Sequence, residues 1–387
     1  MKRKCFLCDN DKLTVLINQW WDLPGFESKE IGFAICPTCG LILQTPSLDP
    51  IDMYTYYKET AVYINPGRNG KPTLNKERDV KRQLNIITDV TGTVPNSVFQ
   101  IGCSDGYTLS RFRNAGVSIV EGIDPNIESC KLAKELYNIE TTVGIFEEYN
   151  PRYKYDLLIL THILEHLYNP KEIMFKCYNM LKNKGWVLIE VPLFERMDKL
   201  PPGVFSLEHL NYFSELTLLR LLSLTEYTPY LIEKLYYNNI YPVITVLARK
   251  EKWRYHEWNS DFKRAYSILV DYLKKDKENW QHIEIKIKKQ LKKGTSVYIW
   301  GAGIHTSQLF ANTDLKEYLH IKGIIDSSPT KWKKNFGNLK CYSPSSVNIK
   351  KGDVIIISSY ASEQEIYEGL KKYQDKGVDL IRLYGEG

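Results

Sequence analysis

Val98-Phe99-Gln100-Ile101-Gly102-Cys103-Ser104-Asp105-Gly106 is a strand-forming run that ends in a G-x-x-x-G turn. β-Branched and aromatic side chains favour the strand. Gly102 and Gly106 let the backbone turn sharply and approach a ligand closely, and the amino end of the next helix is aimed at the same place. A dinucleotide fingerprint would read G-x-G-x-x-G, and Ser104 and Tyr107 break it. The following strand ends in Gly122-Ile123-Asp124-Pro125, which puts a carboxylate 22 residues after Gly102. An acid there can accept hydrogen bonds from a ribose diol.

Outward from this run the pattern alternates between short β-rich and helical stretches from Lys76 to Arg249, which predicts an α/β fold with a parallel sheet. Strands are expected at Ser97–Ile101, Ser118–Ile123, Asp156–Thr161 and Trp186–Val191, with helices near Tyr107–Asn114, Ile127–Tyr137 and Pro170–Leu181. Two late runs, Tyr230–Tyr237 and Tyr241–Ala248, read as a terminal antiparallel pair. A second Rossmann-like unit starts at residue 294: Ser296–Trp300 is strand-like, Gly301-Ala302-Gly303 is a tight turn, and His305–Phe310 begins a helix. Only two of the three fingerprint glycines are present there, because Thr306 takes the third place, and Asp326 follows 25 residues after Gly301. NAD is therefore disfavoured, and His305 either meets a phosphate or caps the turn. The expected division is 1–75, 76–249, a helical linker over 250–293, and 294–387.

Residues 1–75 show few periodic segments, with one helix expected near Met53–Tyr57, so a small core there needs a staple. Cys5-Phe6-Leu7-Cys8 and Cys36-Pro37-Thr38-Cys39 supply it. Two C-x-x-C pairs separated by 27 residues can turn four thiolates toward one structural zinc, with no open position for catalysis. Buried free thiols or a redox pair are the alternatives.

The 387 residues contain 52 Lys and Arg against 46 Asp and Glu, a charge of +6. From Lys250 to Lys293 there are 13 basic and 7 acidic residues, so this one helical segment carries the whole excess. A nucleic-acid groove would spread it over folded domains. No run approaches the roughly 20 apolar residues of a membrane helix, and no apolar signal core follows the basic start. A cytoplasmic protein without nucleic-acid or membrane partners is expected, either monomer or homodimer.

Past Asp156–Leu160 the chain reads Thr161-His162-Ile163-Leu164-Glu165-His166-Leu167. A glycine turn, an acid after the second strand and a fourth strand leaving into L-E-H together resemble the class I methyltransferases that use S-adenosylmethionine (SAM). The resemblance implies that Gly102, Ser104, Asp105 and Gly106 border the methionine portion of SAM, and that Asp124 binds its ribose. It also puts Phe146 and Glu147 near the adenine, with Thr161 and His162 lining the sulfonium. Core packing is the competing reading for Phe146.

After the fifth strand comes Pro201-Pro202-Gly203-Val204-Phe205-Ser206-Leu207-Glu208-His209-Leu210-Asn211-Tyr212-Phe213-Ser214. It reads as a loop over the carboxyl ends of the strands, with Ser214 capping a helix. A four-Cys domain, a methyltransferase core, E-H-L-N-Y-F-S and a second Rossmann-like unit resemble the nucleotide-sugar C-methyltransferases, which act on a deoxy-keto-sugar carried on TDP. The resemblance implies His209 as the base, Glu208 orienting it and His166 positioning the substrate. Tyrosines among Tyr54, Tyr56, Tyr57 and Tyr63 would close over the sugar. Two departures stand out: Ser206 occupies a place where the family tends to have tyrosine, and Glu165-His166 stands where it usually reads A-H. The alternatives are a sugar or glycan O-methyltransferase, a non-catalytic SAM- or nucleotide-sugar-binding protein, and an NAD-linked oxidoreductase.

Overall fold

The computed structural model describes residues 2–59, 72–196, 200, 202–236, 241–253, 260–360 and 362–385. Tyr63, Pro201 and Tyr237 lie outside them. Among the described residues the strands form sheets of four, seven and six.

The chain opens with β1 (Thr14–Leu23), β2 (Phe26–Ile35), β3 (Ile42–Gln44) and α1 (Pro50–Glu59). The helix over Met53–Tyr57 is present, but the long hairpin was not expected. Its two-residue Pro24-Gly25 turn, with Gly25 at φ 81°, is a legible signal. Register shifts at Val15/Ile17 and Trp21/Leu23 break the two-residue alternation that would have revealed the strands.

The central layer follows: α2 (Leu74–Thr91), β4 (Ser97–Ile101), α3 (Tyr107–Asn114), β5 (Ile119–Asp124), α4 (Ile127–Tyr137), β6 (Thr142–Val143), β7 (Tyr155–Thr161), α5 (Pro170–Met180) and β8 (Leu181–Pro192). Then come β9 (Asn211–Tyr212), α6 (Glu215–Leu224), β10 (Tyr227–Leu235) and β11 (Val243–Lys250). Every residue of β4 is buried, as expected of a parallel strand covered on both faces. The sheet order is β10-β11-β8-β7-β4-β5-β6. β11 runs antiparallel to both β8 and β10, the terminal pair expected from sequence. Strand order reverses between β4 and β7, so the crevice at their carboxyl ends is where such a sheet binds ligands. β9, from the candidate catalytic segment, leaves this sheet and pairs with β3, so the loop that follows β8 belongs to the amino-terminal sheet.

α7 (Phe262–Gln290) was expected to be a linker helix, and it does more. Its Ala265, Leu269 and Tyr272 enter the core of the amino-terminal sheet. Trp280, Ile283 and Ile287, further along the same face, enter the carboxyl-terminal core. The last unit comprises β12 (Ser296–Trp300), α8 (Ile304–Asn312), α9 (Leu315–Tyr318), β13 (His320–Ile325), β14 (Asn335–Phe336), β15 (Leu339–Tyr342), β16 (Val354–Ile357), α10 (Glu363–Gln374) and β17 (Asp379–Arg382). Its sheet order is β14-β15-β13-β12-β16-β17, with β13 and β16 parallel to β12.

Candidate functional site

At the end of β4, Gly102, Ser104 and Gly106 all have positive φ, at 66°, 48° and 74°. The chain there is tightly wound, and Gly106 caps α3. A side chain at Gly102 would place its Cβ 2.1 Å from Ile163 Cδ1, so the post-β7 loop presses directly on the glycine. Asp124, at the end of β5, accepts hydrogen bonds from the Ser104 amide at 2.8 Å and the Asn126 amide at 2.9 Å. Burial raises its pKa, and those two amides oppose the rise. Asp105 pairs with Lys76 Nζ of α2 at 2.8 Å. Glu147 is exposed, whereas the Phe146 ring is 3% exposed and packs against Phe99 and Tyr149. Core packing therefore accounts for Phe146, and its expected place at an adenine is corrected.

The β7 exit converges with the β9 loop. Thr161 ends β7, and His162 follows at φ 55°. The His162 ring lies between two buried carboxylates, with Nδ1 3.3 Å from Glu165 Oε1 and Nε2 3.5 Å from Glu190 Oε1. Burial opposes its charge, yet the two carboxylates raise its pKa well above the ordinary histidine value. An imidazolium would repel a sulfonium, and Glu165 and Glu190 offset that repulsion. Glu190 also accepts from Thr245 Oγ1 at 2.6 Å and pairs with Arg82. Burial would raise the Glu190 pKa, but His162, Arg82 and Thr245 hold it down to about 2.

His166 Nδ1 lies 2.9 Å from the Glu208 carbonyl and 2.7 Å from the Tyr57 hydroxyl. A carbonyl can only accept, so a ring proton is assigned to Nδ1. Glu208 does not orient His209 as expected. Its Oε1 accepts from Tyr56 OH at 2.7 Å. The His209 ring packs edge-on to His166, with centroids 5.0 Å apart, and among the described residues it has no hydrogen-bond partner. Burial, with His166 beside it, lowers its pKa to about 3. With its pKa held down in this way, the His209 ring stays neutral near pH 7 and offers a lone pair.

Amino-terminal residues fix this geometry, and sequence reasoning missed them. Gln44 Nε2 donates to the carbonyls of Ser206, Leu207 and His209. Buried Arg3 donates to the carbonyls of Leu210 and Tyr168 and to Asn211 Oδ1. Of the candidate tyrosines, Tyr56 and Tyr57 reach the site from α1. Glu190 was also missed, although a lone acid inside the apolar run Trp186–Val191 was a usable signal.

The cysteine sulfurs converge. Cys5 and Cys39 lie 3.4 Å apart, Cys8 and Cys36 3.4 Å, and Cys8 and Cys39 3.9 Å. Tetrahedral bonds of about 2.3 Å set sulfurs roughly 3.8 Å apart, so the four fit one ion. In the last unit Asp326 accepts from the Ala302 amide at 2.7 Å, repeating what Asp124 does for Ser104. His305 has both ring nitrogens engaged, with Ser358 Oγ at 2.9 Å and Tyr384 OH at 2.7 Å, which supports the turn-fixing reading over the phosphate contact.

Residues 77–230 match a family model described as a methyltransferase domain. Residues 293–378 match a model described as C2185-like, N-terminal. The chain is similar to the ubiquinone biosynthesis O-methyltransferase of Nitrosomonas europaea, 27% identical over 149 residues, which is 36% of this chain and 61% of that protein. The enzyme of the same name from Shewanella halifaxensis is 27% identical over 150 residues, with the same shares. The chain thus spans about 61% of the length of these curated relatives. Among solved structures, the Burkholderia thailandensis 1,6-didemethyltoxoflavin-N1-methyltransferase, bound to 1,6-didemethyltoxoflavin and S-adenosylhomocysteine, is 16% identical. That match covers 59% of this chain and 100% of the other at a TM-score of 0.41.

Proposed function

We propose that the chain is a SAM-dependent methyltransferase whose acceptor is a sugar carried on a nucleotide, with a structural zinc on Cys5, Cys8, Cys36 and Cys39. The observation that carries it is the meeting, at the reversal of strand order, of the Gly102–Gly106 turn with the β7 exit and the His209 loop. Gly102, Ser104, Asp105 and Gly106 would hold the methionine portion of SAM, Asp124 its ribose, and Thr161 with His162 would flank its reactive end. When bound, SAM supplies an electrophilic methyl group. The protein supplies alignment. Tyr57 and the Glu208 carbonyl fix the His166 ring, while Gln44 and Arg3 fix the loop that carries His209.

The full order of blocks supports a nucleotide-sugar acceptor and carbon methylation through an enolate. A specific observation favours oxygen as the second reading. Ser206 stands in place of a tyrosine, and its amide is bonded to Tyr212 OH at 3.1 Å, so that tyrosine is engaged with backbone. The names of the relatives point the same way, although the match covers 36% of this chain. The test is to supply methyl-labelled SAM with TDP-, GDP- and UDP-deoxysugars and read the product by NMR. A C-methyl signal is expected, a methoxy signal selects the second reading, and label transfer to none of the sugars overturns the acceptor class.

A further inference from the structure

Glu165 is 1% exposed, and among the described residues neither Oε1 nor Oε2 has a hydrogen-bond partner. A buried carboxylate without donors is costly unless a cation accompanies it. Its position is fixed from the backbone, because the Glu165 carbonyl accepts from the Leu210 amide at 2.7 Å. The loop carrying Glu165 and His166 is thereby tied to the loop carrying His209. His166 Nε2 faces the same carboxylate at 3.8 Å. In the neutral ring with its proton on Nδ1, this contact turns a lone pair and a carboxylate oxygen toward the same space.

We propose that Glu165, His166 and His209 form a second metal site, which takes a divalent first-row transition cation through one carboxylate oxygen and one ring nitrogen from each histidine. The three donor atoms lie within 4.8 Å of one another. Donors around a bound ion, at about 2.1 Å each, stand no more than about 4.2 Å apart, so the site must contract slightly. The His209 ring can turn inward because it has no hydrogen bond to break. His166 already has the arrangement of a ligating histidine, its other nitrogen donating to a backbone carbonyl that sets the ring's orientation. Two imidazoles and a carboxylate suit zinc, iron, manganese, cobalt or nickel, while the four thiolates form a softer and separate set.

Three protein ligands leave coordination positions open. Two neighbouring oxygens of an acceptor, such as a hydroxyl beside a carbonyl or a second hydroxyl, would fill them. This role rests on the methyltransferase reading, but the metal site itself does not. His162 is the competing cation, since its Nδ1 approaches Glu165 Oε1 at 3.3 Å, though out of hydrogen-bonding alignment.

The test uses the full chain, stripped of metal and titrated with Co2+. Cobalt on four thiolates gives strong sulfur-to-metal charge-transfer bands, and cobalt on nitrogen and oxygen gives only weak visible bands. Two cobalt ions per chain are expected, one with thiolate bands and one without. Glu165→Gln and His209→Asn should each abolish the second while the thiolate bands remain, which also reports that the fold has survived. Binding of S-adenosylhomocysteine, measured by calorimetry on the same samples, tests the methyltransferase reading separately. A single cobalt per chain, or a second one that persists in both variants, overturns the proposed site even where S-adenosylhomocysteine binds.

Discussion

Gly102 has two reasons to be glycine. Its φ of 66° is costly for any other residue, and a Cβ would collide with Ile163. Gly102→Ala should lower stability by at least about 1–2 kcal/mol, read as a shift in the urea midpoint; an unchanged midpoint would contradict the close approach. His305 makes a different residue-level prediction. Burial lowers its pKa from 6.5 to about 4, so the folded protein keeps it neutral while the unfolded chain protonates. Its contribution is complete above pH 6.5 and is lost as pH falls toward 4, worth roughly 3 kcal/mol at most. The fall of Tm over that window should be shallower in His305→Asn than in the unaltered protein. At this scale the glycine turn and Asp124 were legible from type and spacing, whereas His162, His166 and His209 entered through a family resemblance. Glu208 eluded both because proximity along the chain does not decide where a side chain points.

α7 serves two cores with one face, and its periodic apolar residues were legible while its destination was not. Alternation of Lys with apolar positions gives a solvated helix the same pattern as a strut, and only tertiary contacts separate the two. Trp280, 1% exposed and donating to Asp276 Oδ2 at 3.0 Å, is the anchor at the carboxyl-terminal end. Trp280→Ala should cost about 3–5 kcal/mol, measured by chemical denaturation. β3 yields a prediction about function instead. Gln44 gives its amide protons to three carbonyls of the His209 loop, so Gln44→Leu should leave S-adenosylhomocysteine affinity intact and slow methyl transfer by about 10- to 100-fold through misplacement. Equal turnover would show that the loop holds its shape without this tether. The strands of the β1–β2 hairpin were hidden for another reason, although its Pro24-Gly25 turn was legible: two register shifts remove the alternation by which a half-buried strand is recognised.

Across the whole molecule, the three sheets converge on residues 203–214. Gln308 of α8 donates to the Gly203 and Phe205 carbonyls at 2.7 and 2.5 Å, β3 pairs with β9, and the methyltransferase domain supplies His166. The sequence suggested the order of the blocks from composition and pattern. It could not show that the blocks share a loop, because hydrogen bonds between residues hundreds of positions apart leave no local pattern. Metal removal should therefore act at a distance. Metal analysis is expected to find zinc on the four cysteines, and Cys36→Ser or strong chelation should lower Tm and stop methyl transfer together. Loss of that zinc with full activity retained would separate the cysteine cluster from the site.

The pairing of β3 with β9 also sets an order of events during synthesis. Residues 42–44 leave the ribosome long before residues 211–212, which complete their sheet. The amino-terminal hairpin must therefore wait with an open edge while more than 160 residues are added. A nascent chain halted before residue 211 would expose that edge to other strands, and the cysteine cluster, complete once residue 39 has emerged, is the first device able to hold the segment in shape until its last strand arrives.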